Sequence, residues 1–116
     1  MDIEAFRDYC LSLPGATEKM PFQAFNGARS VLVFYVGGKM FCLLDIDRFD
    51  TITIKHPAEC IDELKATNLA VHDPFNLSNN YWIGVQVHEV DDATLREWVR
   101  QSYELVRDGS KKRVRK

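Results

Sequence analysis

The chain has 116 residues, of which 46% are hydrophobic and 28% are charged, and its formal net charge at pH 7 is −2. These values are typical of one globular domain, and they exclude a membrane-spanning protein because no apolar run approaches the ~20 residues that cross a bilayer. The N-terminal segment MDIEAFRDYC is acidic and amphipathic, unlike a secretory signal peptide, so we expect a cytoplasmic protein.

The basic residues are distributed unevenly along the chain. The last six residues, KKRVRK, hold five of the 15 lysines and arginines, which leaves residues 1–110 with ten basic and 17 acidic residues, a net charge of −7. A body of this charge repels a phosphate backbone overall. The tail by itself attracts phosphate through counterion release, without reading a sequence.

An amphipathic helix is predicted at the beginning of the chain. Asp2 is placed to cap this helix and Pro14-Gly15 to end it, and a short first strand is expected near residues 22–25. The apolar stripe of the helix consists of Ile3, Phe6, Cys10 and Leu13.

The centre of the chain predicts a three-stranded antiparallel meander. SVLVFYV (30–36) and KMFCLLDI (39–46) are rich in β-branched and aromatic residues, and they flank the two-residue hairpin turn Gly37-Gly38. TITIK (51–55) alternates in the manner of a half-buried strand, with its two isoleucines directed inward.

The second half of the chain predicts two helices and one more strand. Residues 67–80 form a long loop with no periodic pattern, of the kind that often carries function, and the strand 81–88 follows it. A short helix that begins at Pro57 has the apolar stripe Cys60, Ile61 and Leu64. A last helix, capped by Asp91 or Asp92 and ended by Gly109, has the inner stripe Leu95, Trp98, Val99, Ser102 and Val106.

Together these elements predict a two-layer α+β fold. We expect one domain over residues 1–109, in which an antiparallel sheet of about four to five strands packs against the N- and C-terminal helices. Residues 110–116 are expected to form a basic, disordered tail.

No motif in the sequence predicts an enzyme or a metal centre. The chain contains no GxSxG, phosphate-loop or HExxH motif, and its three histidines show no metal-ligand spacing. The odd, widely spaced cysteines indicate reduced, mostly buried thiols of an intracellular protein. Cys42 lies among apolar strand residues, where desolvation raises the pKa of a thiol and makes it unreactive. We therefore expect no catalytic residue and no cofactor, and a thiol enzyme is the least favoured interpretation.

Trp82 is the most prominent candidate for recognition. Alternation along its strand places the indole on the polar side, together with Gln86 and His88. Two interpretations stay open. The ring either stacks on a base or on a partner's side chain, or it packs against the loop 67–80 or a helix, as tryptophans commonly do.

Five segments, taken in order, resemble the MmcQ/YjbR family of small bacterial proteins, and together they span roughly residues 2–107. These segments are SLPGATEKMPF (12–22), VFYVGGKMFCLLD (33–45), ITIKHPAECIDEL (52–64), YWIGVQV (81–87) and SYELV (102–106). The resemblance implies a CyaY-like or secretion-chaperone-like α+β fold. It also implies DNA binding through a double-wing arrangement of hairpins, with no catalytic residues.

The resemblance also assigns individual residues. Lys39 corresponds to the family's lysine in the glycine-bounded hairpin, Lys55 to its lysine before the proline-started helix, and Trp82 to its tryptophan. Relatives often carry a basic residue and a histidine just before that tryptophan, where this chain has Asn79-Asn80-Tyr81. One phosphate contact is thereby lost, although asparagine still hydrogen-bonds to phosphate or base.

The first hypothesis is a non-enzymatic DNA-binding protein in which cations hold phosphates while Trp82 and the asparagines touch sugars or bases. The alternative is a chaperone-like protein-interaction module that uses the sheet surface around Trp82. The sequence does not determine the oligomeric state. The predicted DNA contacts are Arg29, Lys39, Lys55, Asn79, Asn80, Trp82, Lys111, Lys112, Arg113, Arg115 and Lys116.

Overall fold

The computed structural model describes residues 1–26, 28–74 and 77–114, with side chains described up to residue 109. The helices in this part of the chain are α1 (Ile3–Ser12), α2 (Ile61–Thr67) and α3 (Asp92–Val114). The strands are β1 (Thr17–Lys19), β2 (Val31–Val36), β3 (Lys39–Asp45), β4 (Thr51–Lys55), β5 (Val71–His72) and β6 (Trp82–Gln86). They form one antiparallel sheet in the order β1-β2-β3-β4-β6-β5, which confirms the predicted α+β class with six strands rather than four or five.

One face of the sheet carries the hydrophobic core. The strand register places Phe34, Cys42, Ile54 and Ile83 side by side on adjacent strands, and all four are fully buried. Because side chains alternate along a strand, one row of apolar residues per strand is enough to build this face. The helices complete the core from above with Phe6, Cys10, Ile61, Leu95, Val99, Tyr103 and Val106.

The three helices direct their buried side chains into this one core, and among the described residues the opposite face of the sheet meets a helix at the end where Lys55 and Trp82 lie beside α3. Val33 and Gly84 on this face are buried, several of its residues are half-buried, and Lys19 is exposed. We call this surface the open face; it consists of Lys19, Val33, Tyr35, Leu43, Asp45, Thr53, Lys55, Trp82 and Gly84.

Three short elements correct the sequence prediction. The first strand is β1, whereas residues 22–25 form turns in which the N–H of Phe25 donates to the carbonyl of Phe22 at 3.0 Å. β5 lies inside the segment 67–80 that was predicted to be loop, because two residues are too few to show a period. The strand predicted over 81–88 ends at Gln86, and a 3-10 turn over Val87–Glu89 follows.

The helix predicted to begin at Pro57 starts later. Residues Ala58–Cys60 form a 3-10 turn and α2 begins at Ile61, so the side chain of Cys60 is exposed instead of lying on a buried stripe. Cys10 and Cys42 are buried, as predicted.

α3 does not end at Gly109 as predicted but continues to Val114. A glycine inside a helix costs about 1 kcal/mol, but the lysines and arginine that follow are good helix formers, and their charges favour a helix C-terminus. Residues 111–114, which the sequence assigned to a disordered tail, therefore continue the helical backbone. Arg115 and Lys116 lie outside the described residues. None of the described helices combines the length and the apolar character needed to cross a bilayer.

Candidate functional site

Strands β3 and β4 separate near the hairpin that joins β2 to β3. Their ladder ends at the pair Cys42–Ile54, and a side chain from α3 holds the next pair. The Ser102 hydroxyl accepts a hydrogen bond from the N–H of Lys55 at 2.8 Å and donates one to the carbonyl of Phe41 at 2.6 Å. Ser102 is fully buried. A helix side chain thus replaces one rung of the sheet and fixes the middle of α3 against the two diverging strands.

A cleft of about 300 Å³ lies where these strand ends meet α3. Lysines stand on its strand side, and the helix contributes aliphatic side chains and the backbone at Gly109. A pocket of this composition suits an anion that carries an apolar or aromatic group. The residues that line the cleft are Lys39, Met40, Lys55, Trp82, Leu105, Val106 and Gly109.

Lys55 and Trp82 are direct partners across the β4–β6 ladder. The Lys55 Nζ lies 5.9 Å from the centroid of the half-buried Trp82 ring, which is a cation–π distance. Neither Lys55 nor Lys39 forms an ion pair within the described part of the chain. Both ammonium groups are therefore available to an anion.

None of the other predicted residues lines the cleft within the described part of the chain, although two of them lie at the same end of the sheet. Asn79 and Asn80 are exposed in the turn directly before β6, at the same end of the sheet as Trp82. Arg29 precedes β2 at the opposite end of that strand, away from the hairpin. Gly109, which lines the cleft, is followed by the basic segment. The backbone of residues 111–113 continues α3 and rises no more than about 6 Å along the helix axis from Gly109.

A second lysine–aromatic pair was not predicted. The Lys19 Nζ lies 5.8 Å from the centroid of the Tyr35 ring, on the open face that also carries Lys55 and Trp82. Alternation along SVLVFYV was the signal for Tyr35, since it places that ring on the side opposite to Phe34. The position of Lys19 gave no such signal, because β1 has only three residues.

The described residues show no grouping of histidine, cysteine or carboxylate side chains that could hold a metal ion. Burial, together with the neighbouring thiol of Cys10, raises the pKa of Cys42 well above its ordinary value. The fully buried Cys42 thiol is thus held in its protonated form, which is a poor nucleophile.

His56, just after β4, gives the fold a dependence on pH. It is buried, its Nδ1 has no hydrogen-bond partner among the described residues, and burial lowers its pKa from 6.5. A lowered pKa means that the unfolded chain binds the proton more readily, so stability is highest above pH 6.5 and falls as the pH drops through 6.5 toward the lowered value. We expect urea unfolding to show this loss between pH 7.5 and pH 5.

The matched test replaces His56 by glutamine, which removes the titrating ring and flattens this part of the stability profile. His88→Gln serves as the control, because His88 is exposed. An unchanged slope in His56→Gln contradicts the assignment.

Comparisons with known proteins place this geometry in context. A family model described as YjbR matches residues 11–105. A Deinococcus radiodurans protein with a DUF419 domain has a similar structure, with a TM-score of 0.77 at 28% identity over 90% of this chain and 77% of that one. A Pseudomonas syringae protein has a TM-score of 0.75 at 17% identity over 92% of this chain and 100% of that one, which shows a shared fold. No curated protein gives a match to this chain.

Proposed function

The chain belongs to the YjbR family, and from that premise we propose that it is a small, non-enzymatic DNA-binding protein whose contact surface is the cleft and its rim. One observation carries the proposal. Lys39, Lys55 and Trp82 come from three strands and line a single cleft, and the basic segment of the chain continues from Gly109 on its rim. In nucleic-acid sites, lysines hold the phosphates, and an aromatic ring between them contacts sugars or bases.

The distribution of charge within the fold supports this proposal in spite of the net charge of −7 over residues 1–110. Only two of the 17 acidic residues lie in strands, Glu18 and Asp45. Glu18 forms an ion pair with Arg7 of α1, on the helical side of the sheet. The strands themselves carry the three lysines Lys19, Lys39 and Lys55. The acidic residues are therefore concentrated in the helices and loops, so a phosphate backbone on the strand side avoids most of them.

A protein partner is the second candidate, because Met40, Leu105 and Val106 give the cleft an apolar wall that fits an aliphatic side chain. In that case Trp82 would act as the anchor of the interface. Binding to such a wall depends little on ionic strength, whereas binding to phosphates weakens steeply with salt.

The test measures binding of a fluorescein-labelled DNA duplex by anisotropy across a salt series. We expect the dissociation constant to rise with salt, and we expect replacement of both Lys39 and Lys55 by glutamine to reduce the salt slope by about two. Because α3 continues past Gly109, the tail is neutralised in the full chain rather than truncated, by replacing Lys111, Lys112, Arg113, Arg115 and Lys116 with glutamine.

Arg96→Gln is the matched control, since Arg96 is an exposed cation of α3 outside the cleft lining. Absence of measurable affinity at low salt contradicts DNA binding. Affinity that depends only on the tail, and not on Lys39, Lys55 or Trp82, contradicts the cleft as the contact surface.

A further inference from the structure

The open face carries two lysine–aromatic pairs, one between direct cross-strand partners, Lys55 and Trp82, and one diagonal across the β1–β2 ladder, Lys19 and Tyr35. Lys19 lies over Tyr35 with 5.8 Å from Nζ to the ring centroid, and Lys55 lies over Trp82 at 5.9 Å. Both rings are half-buried, so each is held in place by the sheet while part of it stays accessible. A rigid ring of this kind presents a face on which a nucleobase can stack.

The distance between the two rings suits a short nucleic-acid strand. Tyr35 is on β2 and Trp82 is on β6, which is three strands away in the sheet, and β3 and β4 diverge between them, so the regular strand spacing puts the rings at least about 14 Å apart across the sheet. A single strand whose bases are unstacked from one another spans this distance with a few nucleotides, which suits single-strand sites of about 4–16 nucleotides. Leu43 and Thr53 lie between the pairs, half-buried and uncharged.

The charges of the open face favour a polyanion. Among the strand residues on this side of the sheet, Asp45 is the carboxylate, and it lies at the end of β3 away from the hairpin. Its Oδ1 accepts hydrogen bonds from the hydroxyl of Ser30 at 2.8 Å and from the N–H of Asp47 at 2.9 Å. The two lysines, by contrast, have flexible stems that can move from the rings to flanking phosphates when bases take their place.

We propose that the open face binds single-stranded nucleic acid, with bases stacked on Tyr35 and Trp82 and phosphates held by Lys19 and Lys55. This inference rests on the DNA-binding function proposed above and gives it a substrate class. The bases of a duplex are already stacked on one another, so their faces cannot reach two rings set in a sheet. A single strand has free bases, and stacking is available to it without unpairing.

The inference is tested by comparing the affinity of the protein for single-stranded DNA with its affinity for a duplex. A labelled 12-nucleotide single strand of mixed sequence and the matching 12-base-pair duplex are titrated with the full chain at the same salt concentration. A binder that uses charge alone favours the duplex, which carries the higher charge density. We expect the opposite, with the single strand bound at least about tenfold more tightly, because stacking adds to the phosphate contacts.

Ring variants identify the contacts. Tyr35→Thr and Trp82→Thr keep a strand-forming residue but remove the ring, and each is expected to weaken single-strand binding by about five- to hundredfold. Tyr35→Phe and Trp82→Phe keep a stacking surface and are expected to retain most of the affinity. Arg96→Gln, on α3, is expected to leave binding unchanged, and circular dichroism confirms that each variant is folded.

A spectroscopic signature separates stacking from a purely structural role of Trp82. The chain has two tryptophans, so Trp98→Phe leaves Trp82 as the remaining one. We expect the single strand to quench its fluorescence and the duplex to quench it much less. A duplex bound as tightly as the single strand, or ring variants without effect, overturns this inference while DNA binding stands. Absence of binding to both probes overturns the proposed function as well.

Discussion

Replacing Ser102 by alanine is expected to lower the free energy of unfolding by about 2–4 kcal/mol. The hydroxyl satisfies two backbone groups at once, the N–H of Lys55 and the carbonyl of Phe41, and the serine is fully buried. Alanine leaves both groups without their side-chain partner at a fully buried position, and each buried unsatisfied group costs about 1–3 kcal/mol. Equilibrium unfolding in urea measures the difference.

Ser12→Ala is the matched control for this prediction. Ser12 also donates to a backbone carbonyl, that of Tyr9 at 2.6 Å, but it is exposed at the end of α1, so water replaces the lost bond. We expect a change within about 0.5 kcal/mol. A loss below about 1 kcal/mol in Ser102→Ala would mean that β3 and β4 close the gap and pair directly, and that the separation of the strands does not depend on the hydroxyl.

Replacing Gly84 by valine is expected to destabilise the fold by about 3 kcal/mol or more, although valine favours strands and glycine does not. A Cβ at this position would lie 2.7 Å from Nδ1 of His72, closer still to its Cε1, and 3.2 Å from the carbonyl oxygen of Asp73. The His72 ring occupies the space above the glycine, and its Nδ1 is 2.9 Å from that same carbonyl. Thermal and urea unfolding measure the loss.

Two further variants sharpen the Gly84 prediction. Adding His72→Ala to Gly84→Val removes the clashing ring, so the double variant is expected to be less destabilised than the sum of the two single changes. Gly109→Ala is the control, because a Cβ there meets no atom within 4 Å and alanine favours the helix. It is expected to stabilise the protein by about 0.5–1 kcal/mol. Full additivity in the Gly84/His72 pair contradicts the steric explanation.

Long elements with a clear period were predictable from the sequence. TITIK became β4 with the predicted bounds, and Gly37-Gly38 forms the hairpin turn with φ values of +60° and +80°, where a side chain is strained. Elements of two or three residues were not predictable, since β1 and β5 are too short to show alternation. The end of α3 was misplaced because the local signal of Gly109 is weaker than the helix preference of the residues around it.

Three of the residues that line the cleft could be named from the sequence, whereas its other members and its geometry could not. Lys39, Lys55 and Trp82 were named from the sequence, whereas the sequence could not show that they share a cleft with Leu105 and Gly109 of α3. That arrangement depends on the buried Ser102, whose place on the inner helix stripe was predicted. Its bridge between two strands was not predicted, because it depends on a register between residues 47 and 61 positions apart along the chain. Contacts between residues so far apart in the chain leave no signal in the local sequence pattern.

The outermost strands of the sheet have a consequence for how the protein meets other molecules. β1 has three residues and β5 has two, so in the described structure each border of the sheet offers very few unpaired backbone groups. Long, flat edge strands act as templates on which strands of other chains pair and aggregate. Very short edge strands, here with Lys19 on β1, suppress this aggregation. Copies of this protein are thus poorly suited to join edge to edge into a continuous sheet. Recognition is left to side chains rather than to backbone pairing.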